Sequence, residues 1–147
     1  MLTMKGRGWR TSRGSLGIWL PAPRLLVSRI AGHGEGEFVS PIIEAFEQTL
    51  AAEGPVKLYF EVAKMNNYDS LLRTRLTARF GQSRPRVGTI AVLVSSRIVA
   101  MGVSVANLAL GGLVTSYAAR APFSEALDGE LRAAGILSFS SKVLLAA

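Results

Sequence analysis

Cysteine is absent from this 147-residue chain, and His33 is its only histidine. The first absence excludes disulfides, thiolate catalysis and cysteine-based metal sites; the second excludes a histidine-rich metal centre. Charge is also scarce. Asp, Glu, Lys and Arg make up 18% of the residues, below the ~25% usual for globular domains. Acidic residues are the scarcer sign, 10 against 17 Lys and Arg, for a formal net charge of +7. Acid–base chemistry would therefore fall to Asp69, Glu61 or a lysine such as Lys64, and their spacing defines no reaction. No enzymatic activity, metal or cofactor is expected from these residues. The basic balance favours an acidic partner protein or an anionic membrane surface. Nucleic acid is not expected. Part of the charge lies near the N-terminus, and Trp9, Trp19 and the tyrosines do not interleave with the arginines as a stacking platform requires.

What the chain does have is apolar sequence. From Val87 to Ala119, Arg97 is the only charged residue. The stretch reads as a buried strand over 87–94, a buried helix over 97–110 capped by Ser95 or Ser96, and a second strand over 113–117. Gly111 and Gly112 end the helix. The rival reading is a membrane span over 98–119, long enough at the ~20 residues a bilayer needs and bracketed by Arg97 and Arg120. Asn107 near its middle and the paired glycines weigh against a span.

Residues 1–14 read as a flexible basic leader, with no acid before Glu35. A strand near 15–20 and another over 25–31 follow. Gly32, Gly34 and Gly36 punctuate the next turn. A dinucleotide fingerprint would need glycine at position 37, which is Glu37, and Glu35 and Glu37 would repel phosphate. The glycines are read as a tight turn, with His33 in it solvated. The clearest helix runs over 37–53, with Phe38, Ile42, Ala45, Phe46, Thr49 and Leu50 on one face and Gly54–Pro55 as its stop. A strand over 56–62, a polar loop containing Asn66, Asn67 and Asp69, and a helix over 69–81 come next. Arg73, Arg75, Arg79, Arg84 and Arg86 form a basic cluster. The last helix opens at Ala121–Pro122 and buries Phe123, Leu127 and Leu131. Residues 135–147 form an apolar tail.

The resulting order, β-β-α-β-α-β-α-β-α, implies an α/β domain over residues 15–134. Its sheet is mixed but mostly parallel, with four to five strands and about four helices. LLVSRIAGHG, VKLYFEVAKMNNYDSLLRTRL, RVGTIAVLV and YAARAPFSEAL resemble segments of the sulfate transporter and anti-sigma factor antagonist (STAS) superfamily. They look most like its branch similar to stage II sporulation protein AA, also called STAS/SEC14-like. The resemblance implies a bacterial-type, non-catalytic regulatory module. In the family's antagonists an Asp-Ser-Ser-Gly-type motif before the second helix carries a phosphorylated serine. Here the comparable residues are Asp69, Ser70, Leu71 and Leu72. The resemblance therefore makes Ser70 the phosphorylation candidate, with Arg73 one turn on to hold the charge; the second serine and the glycine are absent. A helix cap is the structural role expected of Ser70.

The expected functional surface is the segment Asn66, Asn67, Tyr68, Asp69 and Ser70 with Arg73, which would bind a partner protein. The alternative is a carrier of a small apolar or lipid-like ligand, in a pocket lined by the second and third helices. A homodimer is compatible with either. The expected location is cytoplasmic, with peripheral contact to a membrane through the apolar helix and the arginines.

Overall fold

A computed structural model describes residues 6–136 as an α/β fold with seven strands and four helices. The strands are β1 (Arg7–Arg10), β2 (Gly14–Ala22), β3 (Leu25–Gly34), β4 (Val56–Glu61), β5 (Met65–Tyr68), β6 (Val87–Leu93) and β7 (Val114–Tyr117). The helices are α1 (Val39–Leu50), α2 (Ser70–Gln82), α3 (Arg97–Ala109) and α4 (Arg120–Ala133). The order across the sheet is β1-β2-β3-β4-β6-β7, with β5 paired to the far end of β3. β1, β2 and β3 run antiparallel, whereas β3, β4, β6 and β7 are parallel and β5 is parallel to β3. The mixed, mostly parallel α/β sheet is as expected, with two strands more than the sequence reading gave.

Both extra strands lie in segments read as irregular. β1 belongs to the supposed flexible leader, yet Trp9 pairs opposite Leu16 and Arg10 opposite Ser15. Its arginines stay exposed at the sheet edge, where charge discourages further pairing. β5 occupies the polar loop. The chain jogs after β4, where the Glu61 carboxylate accepts the Ala63 N–H at 2.9 Å, then resumes along β3. Asn66 and Asn67 are poor strand formers, so this pairing comes from its neighbour and not from propensity. Residues 1–5 of the leader and 137–147 of the tail lie outside the described residues.

The helices divide unequally. α1, α2 and α3 pack on one face around Phe46, Leu58, Phe60, Leu72, Phe80 and Val99. α4 covers the other face, and Phe123, Leu127 and Leu131 meet Trp19, Val27, Tyr59 and Leu93 there. Those three α4 residues are the ones its spacing singled out. Glycines at φ 67° and 83°, Gly111 and Gly112, end α3 as expected.

Two readings of the apolar stretch are corrected. It contains no spanning segment: α3 stops at Ala109, β7 follows, and no helix among the described residues is long and apolar enough to cross a membrane. Nor is the strand–helix–strand unit wholly buried. β6 is interior, but β7 is the last strand in the sheet order and its Thr115 and Ser116 are exposed. α3 buries Val99 and Gly102 while Ile98, Met101, Val105 and Leu108 stand 50–84% exposed. An all-apolar sequence hides this, because only one side of a helix on a sheet surface reaches the core.

Candidate functional site

Between α2, α3 and the sheet lies a cavity of ≈ 120 Å³, partly open to solvent. Its floor is Ile30 of β3, Phe60 of β4, and Ile90 and Val92 of β6. α2 contributes Leu72, Leu76 and Phe80; α3 contributes Val99, Val103 and Ala106. The floor follows from strand alternation in a parallel sheet covered on both faces. The roof follows from helices that are held a little apart. Tyr68, at the end of β5, fills part of that separation. Its ring lies so close to Gly102 of α3 that a Cβ there would collide with the hydroxyl. Gly102, the one glycine of α3, is therefore a seat for Tyr68.

A polar latch joins the end of β3 to the start of α2, beside the cavity-lining Met65, Tyr68 and Leu72. The Asp69 carboxylate pairs with His33 Nε2 at 2.8 Å and accepts the Gly36 N–H at 2.8 Å. The Asp69 N–H in turn donates to the Gly34 carbonyl at 2.8 Å. The hydrogen bond from His33, and then that from Gly36, hold the Asp69 carboxyl below the usual carboxylate range. Behind it, Arg13 forms a two-pronged pair with Glu35 at 2.8 and 3.1 Å. That hydrogen bond, and then the Glu35 charge, raise the Arg13 pKa. Gly34 is enclosed here: a Cβ would fall 2.8–2.9 Å from Leu72, Met65 and Tyr68. Gly32 alone of this glycine group has positive φ, 75°.

The six candidate residues thus separate into three sets. Asn66, Asn67 and Ser70 are exposed. Asp69 belongs to the latch. Tyr68 and Arg73 line the cavity. Ser70 is not the helix cap: Asp69 occupies the N-cap position of α2 without a capping hydrogen bond, because its carboxylate is turned toward His33 and Gly36. His33 is not simply solvated. Its partner is 36 residues away, and no local signal announces the pair.

The basic cluster disperses. Arg84 Nε donates to the Leu110 carbonyl at 2.8 Å, closing the end of α3. Arg86 donates to the carbonyls of Leu50, Ala52 and Gly54 at the end of α1. Arginine suits such helix ends through both hydrogen bonding and the dipole. Arg79 reaches Ser83 and Glu47 and lies over the Phe46 ring. Glu61, weighed as an acid–base residue, is 2% exposed and lies 3.4 Å from Arg29 and 3.8 Å from Arg120, away from the α2–α3 cavity. Among the described residues no group of His, Asp or Glu has metal-site geometry.

No family model matches the sequence, and no curated protein matches it. Solved structures do match in shape. One is the crystal structure of an uncharacterised protein of the DUF3478 family with a SpoIIAA-like fold, from Shewanella loihica PV-4. The match covers 85% of this chain and 91% of that one, with a TM-score of 0.55 and 12% identity. At that identity the likeness speaks for the fold alone, and with the sheet order and helix placement above it gives this chain a SpoIIAA-like α/β fold.

Proposed function

We propose that this protein is a non-catalytic, STAS-type module that holds a small apolar ligand between α2, α3 and the sheet. One observation carries the reading: a cavity of ≈ 120 Å³, walled almost wholly by aliphatic and aromatic side chains, in the place where helices meet sheet. Engineered apolar cavities of about 150 Å³ take benzene or xenon, so a site of this size and lining suits a compact apolar guest. Native mass spectrometry of the purified chain, alone and after incubation with hexan-1-ol, tests it. A one-to-one adduct that survives gentle ionisation is expected. An apo mass under both conditions would sink the proposal.

A second reading concerns where the ligand is collected. α3 carries Ile98, Met101, Val105 and Leu108 on one exposed stripe, with exposed Arg97 at its start. A helix with this arrangement can lie in the interface of an anionic membrane. Fully burying a leucine or isoleucine contributes roughly 1.5–3 kcal/mol, so exchanging two for charges would cut lipid binding by roughly a hundred-fold or more. Co-sedimentation with phosphatidylserine-containing vesicles should therefore fall for the Ile98→Glu, Leu108→Glu double variant. Equal sedimentation of variant and wild type would remove the membrane role.

A further inference from the structure

The cavity wall has one discordant member. Arg73, in the first turn of α2, is the one charged side chain among the residues lining it, and no acid accompanies it there. Its Nε is buried without a hydrogen-bond partner. Buried polar atoms left unpaired are rare in folded proteins and call for an explanation. The partner that helix geometry offers Arg73 is Asp69, four residues earlier. That carboxylate is already engaged on both oxygens, by His33 and by the Gly36 N–H. The first turn of a helix is also the positive end of its dipole, where a cation is disfavoured and an anion is welcome. The wall of an apolar cavity therefore includes one guanidinium-bearing side chain, and its Nε is left unsatisfied.

We propose that the ligand is an amphiphilic monoanion: a carboxylate on a short apolar tail, the tail in the cavity and the carboxylate paired with Arg73. The inference rests on the apolar-ligand reading above and names the chemical class of that ligand. A guanidinium fork matches a carboxylate in shape and charge, and such pairs are stronger than neutral hydrogen bonds. One arginine balances one negative charge. A dianionic head group would leave a charge uncompensated beside an apolar wall, which is costly. The ≈ 120 Å³ void suits a tail of about six carbons.

The test uses three probes that share one tail: hexanoate, hexan-1-ol and hexylammonium. Each is titrated into the full chain at pH 7 and followed by backbone amide shifts. Hexanoate should bind tightest, roughly 10- to 100-fold above hexan-1-ol, with hexylammonium weakest. Arg73→Gln should bring hexanoate down to the level of hexan-1-ol, while Arg73→Lys, which keeps the charge without the fork, should retain part of the preference. Equal binding of hexanoate and hexan-1-ol by the wild type, or a preference that survives in Arg73→Gln, would overturn the carboxylate assignment and leave the apolar site standing. Failure of all three probes to bind would overturn both.

Discussion

Phe123→Ala should destabilise the domain by about 3–5 kcal/mol. Phe123 is 1% exposed and sits in the first turn of α4. Its ring meets Tyr59 edge-on at 5.7 Å and Tyr117 at 5.8 Å, so one side chain ties α4 to β4 and β7. Truncation removes the transfer free energy of the ring and leaves a cavity. It also breaks two aromatic contacts, each worth about 0.5–1.5 kcal/mol beyond area. Among the described residues, α4 is the only helix on that face, so nothing else can move in to fill the gap. Against a total stability of about 5–15 kcal/mol the loss is large. It corresponds to a fall of roughly 10 °C in Tm for a chain of this size. Thermal melts followed by circular dichroism check it. A fall of under about 2 °C would mean that α4 is not seated as described.

Ala106→Phe should abolish binding of hexan-1-ol while leaving the fold intact. Ala106 lies on the inner side of α3 and lines the cavity. A ring placed there occupies the space the ligand would use. Each buried methylene contributes about 0.8 kcal/mol, so denying the site to five of them removes roughly 4 kcal/mol, about a thousand-fold in affinity. The stability effect should be small by comparison. Overpacking costs about 1–3 kcal/mol in a full core, but this part of the core has room, and new contacts across the void offset the strain. Calorimetric titration of the variant against wild type reads the binding, and urea denaturation reads the fold. Undiminished binding by a folded variant would place the ligand elsewhere.

Where burial is one-sided and periodic, the sequence was a good guide. α1 and α4 announced their inward faces by spacing, and Phe38, Ile42, Ala45, Phe46 and Thr49 are buried as read. Glycines marked the ends of α1, α3 and α4, because Gly54, Gly111, Gly112 and Gly135 take positive φ. Legibility failed where a partner lies far along the chain. β1 and β5 exist because β2 and β3 offer them unpaired edges, not because RGWR or MNNY favours strands. The latch joins His33 to Asp69, and Arg73, Arg79, Arg84 and Arg86 from one apparent cluster go to four separate places. α3 failed for a different reason: a helix apolar all round does not disclose which side meets the sheet. The pocket between the second and third helices was anticipated as an alternative. Of the six candidate positions, Tyr68 and Arg73 line it, and Gly102 is one of several small residues in α3, so neither it nor the void stands out in the sequence.

In the proposed function a small apolar molecule sits between α2, α3 and the sheet. The most direct test is a set of intermolecular nuclear Overhauser effects from bound hexan-1-ol to methyl groups of the protein. Cross-peaks are expected from the hexanol chain to Leu72, Val99 and Val103, which line the cavity, and none to Leu127 or Leu131 on the buried side of α4. Cross-peaks confined to the α4 side, or to Met101 and Leu108 on the outer surface of α3, would contradict it.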